Sequence, residues 1–106
     1  MMNEIIDKLI KFRDDRNWKQ FHTPENLSKS IVLEAAELLE NFQWGSTNAS
    51  KENIKEEIAD IFAYCLLLCD YYEFDIKKIM EEKIVKNSIK YPVEKSFGKS
   101  NKYNKL

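Results

Sequence analysis

The sequence contains few of the residues that interrupt helices, since its 106 residues include only two glycines and two prolines. It also lacks any stretch in which apolar and polar residues alternate with a period of two, the pattern of a half-buried strand. Together these absences exclude a β-rich fold and a chain built from Gly/Pro-rich turns. They favour an all-α protein.

An excess of charge of one sign is also absent, because 17 Lys and Arg residues face 18 Asp and Glu residues. Proteins that bind nucleic acid or membrane surfaces are usually cationic, so we expect neither as a partner. The longest apolar run, residues 61–69, has about half the length that a membrane-spanning helix needs. The acidic N-terminus lacks the features of a signal peptide, and we expect a cytoplasmic protein.

Cysteine and histidine are scarce, with two Cys and one His in the chain. Cys65 and Cys69 are four residues apart inside the apolar run, and we interpret them as small core residues on one side of a helix. No further Cys or nearby His completes a zinc site. A di-iron bundle is disfavoured as well, because it needs E-x-x-H motifs, whereas His22 precedes the second predicted helix.

Capping residues divide the chain into four predicted helices. Thr23, followed by proline, begins the second helix, Ser50 the third and Asp75 the fourth. The helices are predicted at about residues 3–16, 24–42, 51–71 and 76–91, with a turn-rich connector at residues 44–50. We expect residues 1–92 to form one domain and residues 93–106 to form a polar, lysine-rich tail.

The second and third predicted helices each carry an apolar stripe with helical periodicity. The stripes comprise Leu27, Ile31, Ala35, Leu38 and Phe42 on the second helix and Ile54, Ile58, Ile61, Cys65 and Leu68 on the third. Val32, Leu39, Phe62 and Leu66 lie outside these stripes. This is more apolar surface than one small core covers, so the sequence predicts a homo-oligomer, at least a dimer.

Four carboxylates occupy matching positions on these two helices. Residues 34–40 read EAAELLE and residues 57–60 read EIAD, which places two acids three residues apart at the border of each stripe. They are Glu34, Glu37, Glu57 and Asp60. If the helices pack by their stripes, the acids converge and need cations to stay ionised. Oxygen ligands favour Mg²⁺, with Mn²⁺ as a substitute. The alternative is a solvated rim on two amphipathic helices.

The fourth predicted helix changes character along its length. Its apolar face begins with Ile76 and Ile79 and continues as Lys83, Asn87 and Lys90. A face that turns from apolar to cationic is typical of a helix that lies half in a core and half along a polar cleft. Lysines beside a metal site favour binding of phosphate. The alternative is that the lysine stems cover apolar surface.

Four sequence stretches together resemble a known enzyme family. WKQFHTPENL, EAAELLENFQW, EEIADIFAY and KNSIKYP, in this order and spacing, resemble the MazG-like nucleoside triphosphate pyrophosphohydrolases, and most of all their dCTP pyrophosphatase branch. The resemblance covers about residues 16–92. It implies a four-helix, all-α bundle that forms a dimer or a dimer of dimers. It also implies Mg²⁺ bound by the four carboxylates.

The reaction implied by the resemblance is hydrolysis between the α and β phosphates, which gives a nucleoside monophosphate and pyrophosphate. The implied substrate is dCTP or a related or modified pyrimidine nucleotide that is removed from the nucleotide pool. Two alternatives remain open at this point. One is an enzyme that hydrolyses many nucleoside triphosphates, and the other is a catalytically silent helical interaction module.

Several residues receive roles from this interpretation. Glu34 or Glu37 would take the proton of the attacking water, and Lys83, Asn87 and Lys90 would bind phosphate. The residues expected to contact the base are Trp18, His22, Trp44, Tyr64 and Tyr91. The two tryptophans flank the second helix at a distance of about 30 Å if that helix is straight, so a shared pocket needs a neighbouring chain or a folded-back loop. One departure is Leu9, where related animal enzymes offer a histidine toward the nucleotide.

Overall fold

The computed structural model describes residues 2–45 and 49–105, and in these ranges it is all-α, as predicted. The α-helices are α1 (Met2–Asp15), α2 (Pro24–Glu40), α3 (Lys51–Tyr71), α4 (Ile76–Lys90) and α5 (Val93–Ser96), and short 3₁₀ helices cover Lys19–Phe21 and Tyr103–Lys105. No strand occurs in the described ranges, and the only pairing of that kind is an isolated bridge between Gln43 and Gly45. Residues 46–48 of the predicted connector lie outside the described residues.

The predicted capping residues begin α2, α3 and α4. Thr23 Oγ1 accepts a hydrogen bond of 3.1 Å from the backbone N–H three residues on. Ser50 Oγ does the same at 3.2 Å and Asp75 Oδ1 at 3.3 Å. Each bond satisfies a backbone donor that has no partner within the first helical turn. The starts of these three helices are therefore fixed by local sequence.

The chain divides into two compact units at the boundary between Phe74 and Asp75. In the first unit, α2 packs along α3, and α1 makes a smaller contact with α3. A partly buried ion pair joins α1 to α3, because Arg13 Nη1 donates to Asp70 Oδ2 at 2.8 Å. Arg13 Nε also donates to Asp14 Oδ1 at 2.9 Å. The bond to Asp70 links the end of α1 to the C-terminal end of α3.

The second unit contains α4, α5 and the 3₁₀ helix near the C-terminus. The Tyr103 ring packs edge-on against Tyr91, with 6.3 Å between ring centres. Lys90 Nζ lies 5.1 Å from the centre of the Tyr103 ring, within the range of a cation–π contact. The segment predicted as a tail thus carries a short helix and contacts the end of α4. The domain boundary at residue 92 stays a prediction.

An amide pair joins the end of α2 to the start of α3. Asn53 Nδ2 donates to Asn41 Oδ1 at 2.8 Å. Asn41 Nδ2 in turn donates to the backbone carbonyl of Leu38 at 3.2 Å. α2 ends at Glu40, two residues before the predicted position, and the amide pair links this end to the first turn of α3.

The core of the first unit is small. Its buried apolar residues, among those described, are Leu27, Leu66 and Leu67, of which Leu27 is fully buried. Of the predicted stripes, Ile31, Leu38, Ile54, Ile61, Cys65 and Leu68 are half-buried, whereas Ala35, Phe42 and Ile58 are exposed. One chain of this length therefore leaves part of both stripes uncovered.

The apolar residues outside the stripes divide into two groups. Val32, Leu39 and Phe62 are exposed, as predicted, with exposed fractions of 67%, 69% and 57%. The expectation that Leu66 also adds to the exposed surface is wrong. Leu66 is buried because α1 covers that side of α3, where Leu66 and Ile5 line the same shallow depression.

The apolar run 61–69 lies in the C-terminal half of α3. Across the described ranges, no helix combines the length and the apolar character that crossing a bilayer requires. Cys65 and Cys69 are half-buried free thiols, and burial raises the pKa of both. A raised thiol pKa lowers the thiolate fraction, which fits packing residues better than reactive ones.

Candidate metal centre and adjoining cavity

Three of the four predicted carboxylates come together between α2 and α3. One carboxylate oxygen from each of Glu34, Glu37 and Glu57 lies within 4.8 Å of the other two. The spacing of three residues places Glu34 and Glu37 on one face of α2, and α3 presents Glu57 to them. Asp60 is exposed one turn further along α3, and its charge contributes to raising the pKa of Glu34 and of Glu57. The packing of α2 on α3 thus brings together three of the four acids that the sequence predicted to converge.

The cluster contains acid oxygens that have lost contact with water. Glu57 is 9% exposed, and Oε2 of both Glu34 and Glu57 is buried and has no hydrogen-bond partner among the residues that the structure describes. Burial raises the pKa of Glu34 to about 7, and the neighbouring carboxyls of Glu57 and Glu37 act in the same direction. Burial also raises the pKa of Glu57. Without a cation, the cluster therefore retains a proton near neutral pH.

The donor set fits a hard divalent cation. It consists of carboxylate oxygens alone, the ligands that Mg²⁺ and Mn²⁺ prefer. A cation between Glu34 and Glu57 would satisfy the two buried oxygens that have no partner, which are otherwise costly to bury. A merely solvated rim would leave all of these acids in water, and the burial of Glu57 contradicts that alternative. By contrast, Glu40 and Glu56 on the same two helices are exposed.

A cavity of about 260 Å³ lies within the first unit, beside Asp60. Its walls consist of Leu9, Phe12, Arg13, Trp18, His22, Asp60, Ala63, Tyr64 and Leu67. Asp60 belongs both to the predicted carboxylate set and to this wall, and it is the one of the four acids that lines the cavity. The Trp18 ring packs edge-on against Phe12, with 5.6 Å between ring centres. Aromatic and aliphatic side chains therefore form most of the wall, with a few polar groups among them.

Of the residues predicted to contact the base, three line this cavity: Trp18, His22 and Tyr64. Burial, and then the nearby charge of Arg13, lowers the pKa of His22, so its imidazole is neutral at pH 7. His22 Nδ1 is buried and has no hydrogen-bond partner within the described ranges. A neutral imidazole with a free nitrogen can still bond to a ligand in the cavity.

Arg13 is a cavity residue that the sequence interpretation missed. It is 4% exposed and contributes to the wall. A signal was present, because Arg13 follows Ile6 and Ile10 at intervals of seven and three residues, so it falls on the inward face of α1. A charged residue on an apolar face indicates either a buried ion pair or a binding site.

The other predicted site residues lie elsewhere. Trp44 is 86% exposed just after α2 and does not contribute to the cavity wall. Lys83, Asn87 and Lys90 are exposed residues of α4, at a spacing that places them on one face of that helix. Tyr91 directly follows them. These four residues belong to the second unit, and their roles in binding phosphate and base stay predictions.

Comparison with known proteins gives a family match and several relatives. Residues 29–106 match the model of the MazG-like family. The chain is 32% identical to dCTP pyrophosphatase 1 of Mus musculus and 30% identical to that of Homo sapiens, over 105 aligned positions that cover 91% of this chain. It spans 62% of the length of these relatives. The family match extends to the end of the chain and so includes the segment predicted as a tail.

A solved structure gives a further match. The crystal structure of a pyrophosphatase from Archaeoglobus fulgidus is 43% identical in sequence and superposes with a TM-score of 0.80. The match covers 86% of this chain and 92% of that chain.

Proposed function

The chain belongs to the MazG-like family, and on this basis we propose that it is a nucleoside triphosphate pyrophosphohydrolase acting on dCTP or a related pyrimidine nucleotide. The observation that carries the proposal is the convergence of Glu34, Glu37 and Glu57 beside an aromatic cavity. The similar proteins are named dCTP pyrophosphatase and pyrophosphatase, and both names describe release or hydrolysis of pyrophosphate. Such an activity removes a nucleotide from the pool available for polymerisation.

The proposed cofactor is Mg²⁺, with Mn²⁺ as a substitute, bound by Glu34, Glu37, Glu57 and Asp60. When bound, a divalent cation supplies positive charge that offsets the carboxylates and the phosphates, and it acts as a Lewis acid. The burial of two carboxylate oxygens without partners supports this ligand set.

The residues of the chain then position the reactants. A carboxylate of α2, either Glu34 or Glu37, accepts the proton of the water that attacks the α-phosphorus. The bond from that phosphorus to the bridging oxygen breaks, which releases the nucleoside monophosphate and pyrophosphate. Lys83, Asn87 and Lys90 bind the phosphate groups, because lysine ammonium and amide N–H groups donate hydrogen bonds to anionic oxygens.

The cavity provides a place for the base. Trp18 and Tyr64 offer aromatic faces, and a stacking contact of this kind contributes on the order of 1 to 3 kcal/mol. His22 offers an unpartnered ring nitrogen in the same wall. We include Trp44 in the base site as a contribution from a second copy or a folded-back loop, and we include Tyr91 as a further base contact. The proposed assembly is a homodimer or a homotetramer.

Hydrolysis assays with a panel of deoxy- and ribonucleoside triphosphates test this function. The purified protein is incubated with each nucleotide and Mg²⁺, and the products are separated by anion-exchange chromatography. We expect monophosphate and pyrophosphate in equal amounts, with dCTP among the best substrates. Glu57→Gln should abolish most turnover, whereas Glu40→Gln and Glu56→Gln, which remove exposed acids from the same helices, should retain it.

Two results would contradict the proposal in different ways. Release of a nucleoside diphosphate and inorganic phosphate would show that the bond between the β and γ phosphates is cleaved instead. Absence of turnover with either Mg²⁺ or Mn²⁺ would favour the silent interaction module, particularly if nucleotide and metal leave the melting temperature unchanged. Similar rates with all nucleotides would instead identify an enzyme of broad specificity.

A further inference from the structure

The mechanism above does not use Arg13, a buried cation in the cavity wall. Its described hydrogen bonds involve Nε, which donates to Asp14 at 2.9 Å, and Nη1, which donates to Asp70 at 2.8 Å. A guanidinium carries five N–H donors, so these two bonds leave donors free for a ligand in the cavity.

The two carboxylates also fix the position of the guanidinium. Asp14 and Asp70 hold Arg13 from two sides, and their negative charge compensates for burying the cation. A donor group that is already held in place loses little conformational entropy when a ligand binds. Arg13 thus adds a guanidinium held by two carboxylates to the wall that also contains Trp18 and Tyr64.

We propose that Arg13 is a specificity-determining residue that donates hydrogen bonds to two adjacent acceptors on the edge of the bound base, N3 and O2 of cytosine. This inference rests on the proposed function. Cytosine presents these acceptors side by side, whereas uracil and thymine carry an N–H at position 3. A guanidinium only donates, so an N–H at that position faces a donor and leaves a buried hydrogen bond unmade.

A purely structural role for Arg13 makes a different prediction. In that case the ion pair with Asp70 only holds α1 on α3, and its loss lowers stability without changing which base is preferred. The ratio of kcat/KM for dCTP to kcat/KM for dUTP separates the two roles, because both substrates bind to the same folded protein.

The experiment compares this ratio in the wild type and in Arg13→Lys. Lysine keeps a positive charge beside Asp70, but its ammonium group lacks the planar geometry with which a guanidinium donates two parallel hydrogen bonds. We expect the ratio to fall at least about tenfold, mainly through a lower kcat/KM for dCTP. Lys11→Met is the matched control, because it removes a cation from the exposed Lys11–Asp15 pair of the same helix. Its ratio should equal that of the wild type.

A substrate analogue provides a test that does not depend on folding of a variant. In 3-deaza-dCTP a C–H group replaces N3, so one acceptor is lost while the shape of the base is kept. We expect wild-type kcat/KM to fall about tenfold or more with this analogue. An unchanged value, or an unchanged dCTP to dUTP ratio in Arg13→Lys, would overturn the role of Arg13 while leaving the hydrolase function intact.

If the wild type hydrolyses no triphosphate, the proposed function fails, and binding of dCMP and dUMP then tests Arg13 separately. Binding is followed by the tryptophan fluorescence of the protein, because Trp18 lies in the same cavity. Tighter binding of dCMP that is lost in Arg13→Lys supports the inference, and equal binding of both monophosphates overturns it.

Discussion

At the four acids of the proposed metal centre, we expect the requirements of activity and of protein stability to conflict. Glu34, Glu37, Glu57 and Asp60 repel one another, and two of them have buried oxygens without partners. We expect Glu34→Gln, Glu37→Gln, Glu57→Gln and Asp60→Asn each to abolish most turnover, because the ligand set is then incomplete. In metal-free buffer the same variants should melt at the wild-type temperature or above it, since a repelling charge has been removed. Calorimetry and hydrolysis rates check both parts, and near wild-type rates in two or more variants would show that the site is misplaced.

The raised pKa of Glu34 leads to a prediction of how the stability of the metal-free protein depends on pH. Its pKa is raised from an ordinary value of 4.5 to about 7 in the folded chain, so the folded state binds this proton more tightly than the unfolded state. The stabilisation is complete below the unfolded pKa and is lost as pH rises through the folded pKa. Urea denaturation in the presence of a chelator should therefore show stability falling between about pH 5 and about pH 8. Glu34→Gln should flatten this decline, and parallel curves for the variant and the wild type would refute the assignment.

At the scale of single residues, the sequence was sufficient to predict those features that depend on the spacing of residues within one helix. The helical phase of Glu34 and Glu57 at the border of two stripes was enough to predict their convergence, which the structure confirms. The role of Arg13 in the cavity wall could not be predicted in the same way. Its burial depends on Asp70, which is 57 residues away in the sequence, and a pattern within one helix does not identify such a partner.

At the scale of helices, a hydrogen bond from Asn53 to Asn41 links the start of α3 to the end of α2. We expect Asn53→Ala to lower the free energy of unfolding by about 1 kcal/mol through loss of this bond. It should also weaken Mg²⁺ binding, because the carboxylates of the two helices are no longer held in alignment. Ser50→Ala is the control, since loss of the cap costs about 1 kcal/mol at the start of the same helix but leaves the amide pair intact. Titration calorimetry with Mg²⁺ distinguishes the two, and equal loss of affinity in both variants would reject a role in alignment.

Helix starts were predicted more reliably than the structure of the C-terminal segment. Thr23, Ser50 and Asp75 act within one turn, so each start follows from a few adjacent residues. The contact between Tyr91 and Tyr103 joins residues separated by a polar segment without periodicity. No local pattern predicts that contact, which is why residues 93–106 were expected to be a tail.

At the scale of the whole molecule, the amount of exposed apolar surface is the main feature that one chain leaves unexplained. Val32, Leu33 and Leu39 are 67%, 63% and 69% exposed along α2, and Phe62 is 57% exposed on α3. The sequence predicted this excess because its apolar residues outnumber the positions that a small core can cover. It could not predict which faces stay open, since that depends on where α1 packs, as the burial of Leu66 shows.

The exposed face of α2 leads to the last prediction, a homo-oligomer in which this face is covered by a second copy. Apolar surface of this extent on a small soluble domain usually lies in an interface. We expect light scattering at micromolar concentration to give at least the mass of a dimer, and Val32→Glu to shift it to the monomer, because burying an unpaired charge in an apolar interface is costly. Lys11→Glu also introduces an acid, at an exposed polar position of α1, and should leave the mass unchanged. If the wild type has the mass of a monomer, or if Val32→Glu assembles as the wild type does, then this face of α2 does not form the interface.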